Sequence, residues 1–229
     1  MRQSLLAISP SYHKYMLFMS MLCSSILCIA ILALRIAHTH SFTYSFLGWN
    51  LFLAWLPLIS AYSAYRLHQS LLGLFQFLSM AAMGIWLVFL PNAPYLITDL
   101  VHLAPRSDIF FWFDLTMFVA FAVTGLLYGL VSLYWMQQLV FKRVGTLVSW
   151  WFVLGVLALS SFGVYLGRFQ RWNSWDVISN PMGLLTAILE NVRHPLTHFQ
   201  AYAFSGLFTL FLITAYFMLS TITHSLRDM

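Results

Sequence analysis

The sequence predicts an all-α integral membrane protein. It reads as one helical domain over residues 1–229, with about six transmembrane helices and two short interfacial or re-entrant helices on the non-cytoplasmic side. Three observations predict this. Only 7% of the 229 residues are charged and 61% are hydrophobic. A soluble domain carries about 25% charged residues, so this chain cannot cover itself with a solvated surface. Mean hydropathy is +0.82, and the apolar residues gather into runs of the ~20 residues that a helix needs to cross hydrocarbon. The ~10-residue alternating segments of a closed barrel are missing.

The first run, near Met16–Leu34, is too long for a signal-peptide core and no small-residue cleavage site follows it, so it reads as a retained anchor. Cys23 and Cys28 lie in it five apart, on different helix faces, and read as small packing residues. The second run, Tyr44–Tyr62, contains Asn50 and Pro57, which share a face and predict a kink.

The third run, Leu71–Leu90, leads into PNAPYLITDL and on to His102. Asn92 suits an N-cap and Pro94 suits the first turn, where its missing N–H is not needed. A fresh helix is therefore predicted over Ala93–Ala104, ended by Pro105 because the residue before a proline is disfavoured in helix. It is too short to span. Tyr95, Asp99, His102 and Arg106 are spaced by four, three and four, which is one helical stripe. Two readings stand: a device holding a carboxylate and an imidazole at membrane depth, or an interfacial helix whose polar side chains meet water.

The fourth run, Ile109–Trp135, carries Asp114 about six residues in, roughly 9 Å deep at helical rise. An intramembrane acid is either functional or paired, here with Arg106, Arg168 or Arg171. The fifth run, Val144–Leu166, flows into YLGRFQRWNSWD. If the helix continues, Arg168, Arg171, Trp172 and Trp175 share a face, with Asn173 and Asp176 beside them. Tryptophan is expected at an interface, and arginine snorkels or binds carboxylate and phosphate with its rigid fork.

Next, Ser179-Asn180-Pro181 reads as a cap followed by proline at N1, opening an amphipathic helix over Met182–Arg193 that lies on the membrane surface. Leu185, Ile188, Leu189 and Val192 make its apolar face, and Glu190, Asn191 and Arg193 are polar. Glu190, His194 and His198 stand at four-residue spacing, but Pro195 interrupts the helix between the histidines. They are weak metal-ligand candidates beside the plainer reading of solvated or headgroup-facing side chains. The last run is Gln200–Ile222.

An even number of spans puts both termini on one side. That side holds Arg2, Lys14, Arg66, Lys142, Arg143 and Arg227, and the other holds Arg35, Arg106, Arg168, Arg171 and Arg193. The positive-inside bias is slight and assigns the termini to the cytoplasm. Asp99, Asp108, Asp114, Asp176 and Glu190 all fall on the other side or at its edge, a pattern that suggests pairing with the arginines there. The net charge of +5 points to anionic lipid headgroups; scattered basic residues with no basic helix or arm exclude nucleic acid.

PNAPYLITDL and YLGRFQRWNSWD resemble the two signature segments of a family of bacterial multi-span membrane proteins catalogued as domain of unknown function 1361. The resemblance covers the chain from about the second span to the last. It implies six or so helices in a bacterial plasma membrane. It implies no reaction, no cofactor and no catalytic residues.

The residues therefore carry the functional expectations alone. One is a polar pocket at the non-cytoplasmic edge that binds an anionic lipid headgroup or envelope precursor, lined by Asn92, Tyr95, Arg106, Arg168, Arg171, Trp172, Asn173, Trp175 and Asp176. Another is an enzyme using Asp99 and His102, with Asp114, as acid–base or metal groups. A small transporter or a structural subunit, as a homo-oligomer or with a second membrane protein, completes the set. Nucleotide loops, G-x-S-x-G and a secure metal motif are absent from the sequence.

Overall fold

The computed structural model describes residues 10–68, 72–103 and 111–228. They form α1 (Pro10–Thr39), α2 (Phe46–Leu67), α3 (Gly73–Phe89), α4 (Asn92–Thr98), a 3-10 turn (Asp99–His102), α5 (Phe111–Phe169), α6 (Asp176–Ser179), α7 (Pro181–Arg193) and α8 (Phe199–Asp228). No strand occurs among the described residues. With no water in hydrocarbon, a helix is the way to satisfy every backbone group within one segment.

Among the described residues, five helical stretches are long and apolar enough to cross a membrane. One of them, α5, has 59 residues, which is roughly 88 Å at helical rise and far beyond a bilayer core of about 30 Å. Gly145 divides it. Its φ of 81° and ψ of −176° are open to glycine and strained for other residues. The two arms, 111–144 and 146–169, then fold back on one another. Leu133 and Met136 of the first share one core with Val153, Val156 and Leu157 of the second. The fourth and fifth predicted spans are these two arms, and the chain is a multi-pass helical membrane protein.

α4 lies where both arms are narrowest. Gly125 and Gly129 on the first arm, and Gly163 and Gly167 on the second, repeat a small-xxx-small spacing that lets helices approach closely. A Cβ at Gly125 would stand 2.5 Å from the Ala93 carbonyl oxygen, and one at Gly163 would stand 2.6 Å from Pro91 Cγ. Ala93, Leu96 and Asp99 are consequently buried.

Pairs of polar groups tie the helices across the interior. Trp55 Nε1 donates to Ser25 Oγ at 3.0 Å, and Ser25 Oγ lies 2.7 Å from Tyr128 OH, joining α1, α2 and α5. Trp86 Nε1 donates to Ser132 Oγ, joining α3 to α5, and Tyr216 OH donates to Gln137 Oε1, joining α8 to α5. Where lipid removes the hydrophobic drive between helices, such bonds and close packing hold the bundle.

Several expectations are corrected. A short helix does start where Ala93 was expected to open it, one residue earlier at Asn92, but through a proline kink and not a clean break. Leu90 and Pro91 keep right-handed helical backbone angles, so α3 and α4 are two pieces of one bent path. Asn92 does not cap; its amide donates to the Phe89 carbonyl and to Ser174 Oγ. The short helix tightens to a 3-10 turn at Asp99 and becomes extended at Leu103; Ala104 and Pro105 lie outside the described residues. The second short helix begins as expected, with Asn180 Oδ1 accepting from Gly183 N and Pro181 in the first turn. Asn191, expected on its polar face, is buried. It donates to the Ala187 carbonyl and accepts from Gln170 Nε2.

Candidate functional site

The kink and the end of α5 bring the two signature stretches together. Ser174 Oγ donates to the Val88 carbonyl at 3.1 Å while accepting from Asn92, and Trp175 packs edge-on against Phe89 with ring centroids 4.9 Å apart. The loop carrying Arg168 onwards is thereby fastened over the proline kink.

At the centre is an ion pair between Asp99 and Arg168. Asp99 is 1% exposed, and the Arg168 side chain is 14% exposed. A carboxylate this buried is costly unless both oxygens find partners. Asp99 Oδ1 meets Arg168 Nη2, and Oδ2 accepts from Asn50 Nδ2 at 2.8 Å. Arg168 spreads its remaining donors. Nε and Nη2 both reach Thr98 Oγ1, at 3.0 and 2.8 Å, and Nη1 lies 2.8 Å from His102 Nε2. Its guanidinium carbon sits 4.4 Å over the Tyr95 ring. A guanidinium only donates, so His102 Nε2 accepts and the ring proton lies on Nδ1.

The predicted stripe is thus largely the floor of this site. Tyr95, Asp99 and His102 converge on Arg168; Arg106, also predicted there, lies outside the described residues, as does Asp108. Two members were missed. Thr98 sits one residue off the stripe. Asn50, read as structural, holds half of the carboxylate from another helix. Its position on a shared face with Pro57 was the only signal, and it gave no partner.

Asp114 does not join this group. It forms a two-point pair with Arg35, Nε to Oδ1 at 2.8 Å and Nη2 to Oδ2 at 3.2 Å, with the side chains 0% and 2% exposed. The expected partners Arg168 and Arg171 are therefore replaced by an arginine from the end of α1. Tyr44 connects the two pairs. Its ring lies 4.2 Å below the Arg35 guanidinium, and its hydroxyl donates to the His102 carbonyl at 3.4 Å.

The shared face expected of Arg168, Arg171, Trp172 and Trp175 is corrected, because α5 ends at Phe169. Arg171 adopts a left-handed φ of 61°, a conformation that costs a non-glycine residue, and stands exposed. Trp172 turns back, its N–H donating to the Leu166 carbonyl and its ring packing near Tyr165 and Leu166. Asp176 is occupied locally, accepting from Asn173 N at 2.7 Å and from Ser179 Oγ at 2.9 Å. Glu190 and His194 are exposed, and no group of three His, Cys, Asp or Glu side chains is placed to hold a metal ion among the described residues, so Glu190, His194 and His198 are not drawn together.

The family model described as "Protein of unknown function (DUF1361)" matches residues 49–215, which is most of the chain and includes both signature stretches. No curated protein and no solved structure matches it.

Proposed function

This chain belongs to the DUF1361 family, and from that premise we propose that it is a membrane-embedded binding protein. Its edge site takes an anionic lipid headgroup or a phosphate-bearing envelope precursor. One observation carries the reading. Arg168 is held from below by Asp99, Thr98 and Tyr95, while His102 and Arg171 stand at the surface beside it. A guanidinium fixed in this way loses little freedom when an anion arrives; one Nη1 proton of Arg168 is left to meet it, and the exposed Arg171 supplies the fork that matches phosphate oxygens. Exposed Trp175 is placed for the lipid or sugar portion.

In this reading the whole chain works as one helical domain in a bacterial plasma membrane. The termini are cytoplasmic and the site faces outward. The support is the charge distribution, with Asp99, Asp114, Asp176 and Glu190 at the site's end of the bundle and Asp228 at the other. The acid–base alternative is disfavoured because the His102 Nε2 lone pair is engaged by Arg168 and both Asp99 oxygens are taken. Asp114, the titrating group of a transporter reading, is likewise locked to Arg35.

The test is mass spectrometry of lipids extracted from affinity-purified wild type and Arg171→Gln. A phosphate-bearing species enriched on the wild type and lost from Arg171→Gln supports the site. Identical profiles from the two proteins reject it.

A further inference from the structure

A second feature lies towards the opposite end of the bundle. Between α3 and the second arm of α5 runs an apolar groove of about 440 Å³, walled by Gly84, Trp86, Met136, Trp151, Gly155 and Leu159. Gly84 and Gly155 form its open floor; a Cβ at either would meet nothing within 4 Å. The groove's position relative to the elbow follows from helical rise. Met136 precedes Gly145 by nine residues and Trp151 follows it by six, so they lie roughly 14 and 9 Å from the elbow, and Leu159 lies roughly 21 Å from it.

The rim above is basic. Lys142 and Arg143 are exposed at the elbow, and Arg66 is exposed at the end of α2. Lys142 Nζ stands 5.3 Å over the Tyr65 ring. The positive charges of Arg143 and Lys142 both act on His68, so the end of α2 and the elbow of α5 form one cationic cluster. Asp99, Asp114, Asp176 and Glu190 belong to the other end, so none of them neutralises it; α8 ends at Asp228 on the rim's side, one acid against Arg66, Lys142 and Arg143.

We infer that this groove and rim form a binding site for one anionic phospholipid, with an acyl chain along Gly84 and Gly155 and the phosphate on Lys142 and Arg143. The charge at the rim argues for a lipid over a second protein copy, because two copies meeting here would bring two like-charged rims together. The depth fits as well: the apolar channel begins about two turns below the cations, where a tail leaves its headgroup. The site is independent of the Arg168 site, and its variants leave that site untouched.

Native mass spectrometry of the full chain in detergent tests this, with equimolar dipalmitoyl phosphatidylglycerol and dipalmitoyl phosphatidylcholine as probes. A basic side chain near an anionic surface is worth roughly fivefold in binding, so Lys142 and Arg143 together predict a preference for phosphatidylglycerol of roughly 25-fold. Lys142→Gln with Arg143→Gln should bring the two lipids level. Gly155→Leu fills the floor from a Cβ position that meets nothing within 4 Å and should lower retention of both lipids about tenfold; Gly84→Leu is the second, independent filling. The inference is overturned if the double glutamine variant keeps the preference, or if both filled variants retain lipid. It is also overturned if soluble glycerol 3-phosphate displaces the lipid at equal concentration. Wild type running as a dimer that Gly155→Leu dissociates would assign the groove to a second copy and overturn it too.

Discussion

Asp99 and Arg168 lie 69 residues apart in sequence and meet as an ion pair in which the carboxylate is wholly buried. Removing one member of such a pair strands the other charge, at about 3–5 kcal/mol, whereas removing both is much milder. Asp99→Asn and Arg168→Gln should therefore each lower the unfolding midpoint in detergent more than the double variant does. Asp114→Asn should behave as a severe single, because it leaves Arg35 fully buried without its carboxylate. Harmless singles at both pairs would show that neither pair holds the bundle together.

The four glycines that seat α4 give a second test. Gly125→Ala and Gly163→Ala place a methyl at 2.5 and 2.6 Å from Ala93 and Pro91, and overpacking of this kind costs about 1–3 kcal/mol. Gly155→Ala meets open space and should be neutral or slightly stabilising, by at most about 1 kcal/mol, because alanine favours helix over glycine. Thermal unfolding of the three variants side by side checks the order. Equal effects would mean that α4 is not seated as described.

Topology supplies the third. Reporter fusions at Lys142 and at the C-terminus should both report cytoplasm, and one at Asn173 the other side. The reverse pattern would turn the Arg168 site towards the cytoplasm and remove the outward-facing binding reading.

The fourth concerns pH. His68, outside the spanning segments, is held below the usual histidine range first by burial and then by Arg143 and Lys142. The folded state thus binds fewer protons here than the unfolded chain does. This contribution is complete above the ordinary histidine range near pH 6.5 and is lost as pH falls through it. Stability should decline on acidification across that window, and His68→Gln should reduce the slope. An unchanged slope in the variant would exclude His68 as the group responsible.

Much of the architecture was legible because the membrane leaves few options. A run of ~20 apolar residues can only be a helix, so the spans could be read directly. Asn180-Pro181 carried its own cap chemistry and set the start of α7 locally. What could not be read was which helix faces which. Arg35 ends a long apolar run and resembles a loop charge; only the fold brings it to Asp114. Asn50 is an amide on an apolar helix, and periodicity marks its face without naming a partner, whereas Asn191 reads as part of the polar face of an amphipathic helix and is buried by its contact with Gln170. Asn92 has the residue type of a cap, but the kink gives its amide a carbonyl and a hydroxyl instead.

The sequence distance across the central ion pair also has a consequence for biogenesis. At about 5–20 residues per second of synthesis, the 69 residues from Asp99 to Arg168 take roughly 3–14 s. Throughout that interval the carboxylate has emerged from the ribosome and its arginine has not. Asn50, made 49 residues earlier, is already there to hold one oxygen. Of the two hydrogen-bond partners of Asp99, the amide is thus the one made before the acid and the arginine the one made after it. Asn50→Ala should reveal itself less in the finished protein than in how much of it survives insertion.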